Sequence, residues 1–292
     1  MEQLVPDYKS LLPLVYGDPE VLALCAEGDR KRASQTYHDL THFTLVRDVA
    51  VSLATMIEDL VPGMLPQHTR EVIIPVAGFL HDIGGGIDPD DHARVGAQWS
   101  RKYLRKKGFT KNDIHEISRV IACHRSEVVL KPRSFSRKNL ADAAWAIVVI
   151  ADKAVGDEER VRPEPAAELT RLRAEHKIHE WTGSEHDQVN FAIKSADLVL
   201  DGRGKGQTDP GVIVLKLRMD EEVASPEQVY KLYGRRFHAC GKAAQYLGFV
   251  FRLEFNGERY FFDKKLQGWQ RVETIHATMP DLVEAPDTDE TK

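Results

Sequence analysis

Six residues able to bind a metal ion fall at the ends of predicted helices, and this restricts the fold more than any other feature of the chain. They are His42, the adjacent His81 and Asp82, His92, His124 and Asp152. Val46, Val49, Ala50, Leu53, Ile57 and Leu60 recur at helical spacing and predict a helix over about 42–61, ended by Pro62 and Gly63. Val72, Ile73, Val76, Phe79 and Leu80 predict a second over about 69–83, stopped by Gly84-Gly85-Gly86, with His81 and Asp82 in its last turn. Asp90 and Asp91 are N-cap candidates for a third, which opens at His92 and ends before Gly108. Thr110 and Asp113 approximate a capping box for a fourth, ending near His124. A fifth, apolar around its circumference, runs from about 139 to Asp152 and is expected to be the buried central helix.

Antiparallel helices bring such ends together. A lone His or Asp at a helix end is more often a cap or a dipole partner than a ligand, but six in this order are hard to explain that way. Six such side chains suffice for two divalent ions about 3.5–4 Å apart, an arrangement that activates water and clamps a phosphate.

The segments Tyr37-His38-Asp39-Leu40-Thr41-His42, Phe79-Leu80-His81-Asp82-Ile83-Gly84, His92-Ala93-Arg94-Val95-Gly96-Ala97, Ile121-Ala122-Cys123-His124 and Ala151-Asp152-Lys153, with an Arg160-Val161-Arg162 tail, resemble the HD superfamily of metal-dependent phosphohydrolases. The resemblance covers about residues 35 to 162. It implies an all-α catalytic bundle in which His42, His81, Asp82 and Asp152 bind one metal and Asp82 bridges to a second held by His92 and His124. It also implies hydrolysis of a phosphomonoester or phosphodiester by metal-activated hydroxide. Mn, Mg, Fe, Co and Ni all suit the ligands, and affinity order does not choose among them. His38-Asp39-Leu40-Thr41-His42 is similar to the His-Asn-x-x-His element of cyclic-nucleotide phosphodiesterases, which assigns His38 as the acid that protonates the leaving oxygen.

Lys153 and Arg160 are the nearest cations to Asp152 in sequence and are candidates for contact with substrate phosphate. Arg125, Lys131, Arg133, Arg137 and Lys138 form a candidate electropositive rim, which a plain solvated loop explains equally well. No second His or Gly-Tyr-Pro element follows His124, which disfavours a cyclic-dinucleotide hydrolase. Ile83-Gly84-Gly85 stands where alarmone hydrolases carry a Glu-Asp pair. Two alternatives stay open: a di-iron oxygenase of the same superfamily, and a non-catalytic nucleotide-sensing module.

Composition shifts at Arg162-Pro163-Glu164-Pro165, which places a linker at 163–186 after a helical domain at 1–162. Residues 187–279 read as a small α+β domain with an antiparallel sheet: strand-like runs at 189–193, 198–200 and 212–217, a long helix over about 226–247, a strand at 249–255, and an Asn256-Gly257 hairpin turn into 260–262. Dimerisation, lid formation and ligand sensing are all open roles for it. Gly202-Arg203-Gly204-Lys205-Gly206 lies between strands and opens no helix, so it reads as a hairpin and not a phosphate loop. His176, His179 and His186 read as surface residues, and the acidic stretch 280–292 as a disordered tail.

A net charge of −5 over 292 residues gives no reason to expect general nucleic-acid binding. Cys25, Cys123 and Cys240 are too few for a disulfide framework and too scattered for a zinc knuckle. No signal-peptide pattern opens the chain, so a cytoplasmic protein without a membrane partner is expected. The expected partner is a phosphorylated, nucleotide-like small molecule, with a homo-oligomer possible.

Overall fold

The computed structural model describes residues 7–32, 37–131, 140–202, 211–263 and 268–271. Two short helices come first, α1 (Tyr8–Tyr16) and α2 (Pro19–Lys31); the Asp18 carboxylate accepts from the Glu20 amide to start the second. Helix α3 (Leu40–Leu60) begins where Asp39 accepts from the amides of Thr41 and His42 at 3.0 and 3.3 Å, leaving His42 in the first turn. By length and composition α3 is apolar enough to cross a membrane, yet its stripe of Val46, Ala50, Leu53 and Ile57 is wholly buried within this fold.

A π-helical turn, Thr69–Ile73, leads into α4 (Ile74–Leu80), buried along its whole length, and a tight turn at Ile83–Gly86 follows His81 and Asp82. Helix α5 (His92–Lys106) opens as expected with Asp91 at its N-cap position, but the Asp91 side chain makes no capping hydrogen bond. The Asp91 carboxylate pairs with Arg94, and Asp88 instead accepts from the amides of Asp90 and Asp91. Arg94 lies one turn on and offers a charged donor, a stronger partner for Asp91 than a backbone amide.

Helix α6 (Lys111–Cys123) has the expected Thr110–Asp113 capping box, and His124 follows its last residue. After α7 (Ser126–Val129) comes α8 (Leu140–Ala154), the central helix: Ala144 to Ala151 are at most 2% exposed. Helix α9 (Pro163–Ala174) starts on its proline.

The run 189–193, expected as a strand, is mostly helix. Ser184 accepts from the His186 amide and starts α10 (Glu185–Ala192), so Val189, Phe191 and Ala192 are buried from a helix and only Ile193 enters a strand. A short apolar run has no period long enough to separate the two states, and here the cap decides. The chain continues as β1 (Ile193–Asp201), β2 (Val212–Met219), α11 (Pro226–Leu247), β3 (Val250–Phe255), β4 (Glu258–Asp263) and β5 (Gly268–Arg271), giving one sheet in the order β1-β2-β3-β4-β5.

This is the expected mostly helical protein with a small sheet, but the sheet is mixed and not purely antiparallel. β2 and β3 pair in parallel, Val212 opposite Val250 and Leu217 opposite Phe255, because α11 carries the chain back to the end where β2 began. Asn256 and Gly257, both at positive φ, make the hairpin into β4. Strand β5 was not expected.

Tyr230, Tyr233, Phe237, Cys240, Ala244 and Leu247 on α11 are all buried, with α8 on one side and β3 on the other. A single hydrophobic core therefore runs through the helical part and the sheet. Arg133, Arg137, Lys138, Gly204, Lys205, Gly206 and the 280–292 tail lie outside the described residues.

Candidate metal centre

Asp82 stands where two sets of side chains meet. One is His42, His81 and Asp82; the other is Asp82, His92 and His124; within each set the potential ligand atoms lie within 4.8 Å of one another. Asp82 Oδ1 is 3.2 Å from Nε2 of both His92 and His124, while Oδ2 is 3.9 Å from His81 Nε2. Asp152 completes the first set, its Oδ1 3.6 Å from His81 Nε2 and 4.0 Å from His42 Nε2. The structure thus gathers all six residues that the sequence singled out as ligands.

Local backbone fixes three of the imidazoles in one way. Nδ1 of His81, His92 and His124 lies 2.7–2.8 Å from the carbonyl oxygens of Gly78, Pro89 and Ile121, each three residues earlier. A carbonyl only accepts, so Nδ1 carries the proton and Nε2 presents its lone pair to the centre. His81 Nε2 and His42 Nδ1 are buried and without a hydrogen-bond partner among the described residues. An unsatisfied His81 Nε2 facing the buried carboxylates of Asp82 and Asp152 fits a cation.

The glycine run determines how closely these elements approach. A Cβ on Gly84 would lie 2.0 Å from the His92 carbonyl oxygen and 2.6 Å from the Gly96 amide nitrogen, so only glycine lets α5 bring His92 to Asp82. A Cβ on Gly85 would lie 3.1 Å from the Arg32 guanidinium.

Burial pushes the carboxyls of Asp82 and Asp152 up, but His81, His124, His92 and Arg32 around Asp82, and Lys153 and His81 beside Asp152, hold both well below the ordinary carboxylate range. Burial and the Arg160 charge hold His42 well below the usual imidazole value. Burial also lowers His92. For His81 burial is outweighed by Asp82 and Asp152, and its value rises. Two buried carboxylates draw positive charge to this point, whether a proton or a metal ion.

The remaining candidates sit around this core. Lys153 Nζ lies 2.5 Å from Asp152 Oδ2 and leaves Oδ1 facing the histidines. The His38 ring is 5.5 Å from that of His42, and its Nε2 is 3.0 Å from Arg160 Nη2. Arg160 is buried and also donates to the Tyr37 carbonyl oxygen through Nε and Nη2, so it holds the His38 segment from beneath. Arg125 donates to the Asp90 carbonyl oxygen at 2.6 Å and to Glu127 at 3.1 Å, which ties it to the entry of α5.

Two residues that the sequence did not single out belong here. Arg32, at the end of α2, places Nη1 3.2 Å from Asp82 Oδ2. Arg236 on α11 donates to the Asp152 main-chain oxygen at 3.2 Å. Neither belongs to a motif, and only the folded chain brings them in.

No curated protein matches the chain closely enough to count as a relative. Residues 39–172 match the family model of the HD domain, a stretch that contains all six gathered ligands and Lys153, Arg125 and Arg160. HD domains bind divalent metals and are generally hydrolases, with metal-dependent phosphohydrolase activity at the superfamily level. Over residues 39–172, this chain is similar to the HD domain family.

Proposed function

We propose that the protein hydrolyses a phosphomonoester or phosphodiester, nucleotide-like in character, with two divalent ions held by His42, His81, Asp82 and Asp152 on one side and by Asp82, His92 and His124 on the other. The observation that carries this reading is the shared position of Asp82, whose two oxygens face different histidine sets. When bound, the ions supply Lewis acidity and a nucleophile at neutral pH.

The chain's own residues do the rest. Lys153 orients Asp152 by occupying Oδ2, and the carbonyls of Gly78, Pro89 and Ile121 keep three imidazoles in the ligating tautomer. Arg160 can only donate, so His38 Nε2 accepts from it and the imidazole proton sits on Nδ1. In this reading Nδ1–H of His38 protonates the leaving oxygen, and Arg160 acts as the residue that positions His38.

Metal-stripped protein refilled with Mn, offered paired chromogenic phosphomonoester and phosphodiester substrates, tests the proposal. Turnover is expected from the wild type, with none from Asp82→Ala. His38→Ala should retain its metal while kcat falls about 10²–10⁴-fold, most for poor leaving groups. No turnover of either ester by wild type carrying two ions per chain contradicts the reading.

A further inference from the structure

Arg160 and Arg236 form no direct ion pair among the described residues, although the Asp152 and Asp82 carboxylates act on Arg160 from a distance. Arg160 is 8% exposed, and its partners are the carbonyl oxygens of Tyr37 and Val155 and the His38 ring, all neutral. Arg236 is half-buried, and among the described residues its one hydrogen bond goes to the Asp152 carbonyl oxygen. Its guanidinium carbon lies 4.9 Å over the Tyr233 ring, and the Tyr233 hydroxyl is anchored on Asn190 at 2.9 Å. The two guanidiniums feel each other: burial and the Arg236 charge both lower the Arg160 value.

Helix capping explains part of this arrangement, since Asp152 and Val155 carry carbonyls at the C-terminal end of α8. A helix end, however, presents only about half a negative charge. The two carboxylates of the centre are already engaged, Asp82 with Arg32 and Asp152 with Lys153. Arg160 and Arg236 are therefore in excess, and a buried guanidinium that cannot lose its proton is costly without an anion. Divalent ions make the excess larger.

We infer that Arg236, delivered by α11 from outside the HD domain, forms with Arg160 behind it an anion subsite beside the metal centre, which takes a phosphate or carboxylate group of the substrate other than the phosphoryl group attacked. This rests on the hydrolase reading for its meaning, and it gives the sheet-bearing part of the chain a share in substrate selection. The substrate class is a phosphate ester bearing a second anionic group. Arg236 offers planar, charged donors over the Tyr233 ring, and such a fork suits a phosphate or carboxylate.

The test is titration of inorganic phosphate into metal-stripped full-length protein, read by calorimetry and by the phosphate-induced rise in Tm. Wild type should bind phosphate, and Arg236→Gln should bind it about tenfold or more weakly, the loss expected for one charged hydrogen-bonding partner. Glutamine keeps a donor for the Asp152 carbonyl, so a pure capping role leaves phosphate affinity unchanged in this variant. Arg236→Lys should recover part of the affinity. No phosphate binding by wild type, or equal binding by Arg236→Gln, overturns the inference. Because binding is measured without metal or turnover, phosphate affinity that depends on Arg236 supports the subsite even where no ester is hydrolysed, and that failure counts against the hydrolase reading alone.

Discussion

Arg32 and Asp82, 50 residues apart in sequence, meet through Nη1 and Oδ2 at 3.2 Å, with both side chains about 9% exposed. The guanidinium fits because residue 85 is glycine, with no Cβ to crowd it. Arg32 thus offsets part of the charge on the one carboxylate that two ligand sets share.

Replacing Arg32 by methionine should leave the Asp82 carboxylate buried without this partner. Breaking one side of a buried pair costs about 3–5 kcal/mol. The expected result is a lower Tm for metal-free protein and a larger metal-induced rise in Tm than in the wild type, since the ion takes over part of the lost compensation. Equal increments for the two proteins would show that Arg32 does not bear on the centre.

Gly84→Ala should act on the second ligand set. Its Cβ would enter the space of the His92 carbonyl and the Gly96 amide, so α5 must move away from Asp82. Overpacking of this kind costs about 1–3 kcal/mol. Metal analysis of the folded variant should give close to one ion per chain in place of two, and an unchanged ratio would contradict the assignment.

At the opposite end of α6, Asp113 accepts from the Tyr8 hydroxyl, from His68 Nε2 at 2.7 Å and from Thr110 Oγ1 at 2.7 Å. Burial pushes this carboxyl up, and these hydrogen bonds more than offset it, so its value lies below the ordinary 3.8. A depressed carboxylate contributes stability that is fully present above the unfolded value, about 3.9, and is lost as pH falls through the folded value. Urea midpoints at pH 5 and pH 3 should therefore differ less in Asp113→Asn than in the wild type. Equal differences would mean that these bonds contribute nothing to acid sensitivity.

How much of the protein was legible in its sequence follows from the range over which each interaction acts. Helices α3, α5, α6 and α8 announce themselves through 3.6-residue periodicity and adjacent caps, and the ligands can be read because each sits at such an end. The Thr110–Asp113 box is local and is found as expected, whereas Asp91 turns to Arg94, a competition between two nearby partners that spacing cannot rank. Val189 to Ala192 are helical because Ser184 caps them, a choice an apolar run of that length leaves undecided. The parallel pairing of β2 with β3 depends on the path of α11, and Arg32 and Arg236 reach the centre only through tertiary packing. No pattern in the sequence marks either arginine.

The central claim is that Asp82 is shared by two metal sites, and metal content tests it most directly. Metal-stripped protein is re-equilibrated with Mn and analysed for bound metal, with folding checked by circular dichroism. The account predicts two ions per chain for wild type, about one for His92→Ala, and essentially none for Asp82→Ala. Two ions retained by folded Asp82→Ala, or none bound by wild type, would contradict it.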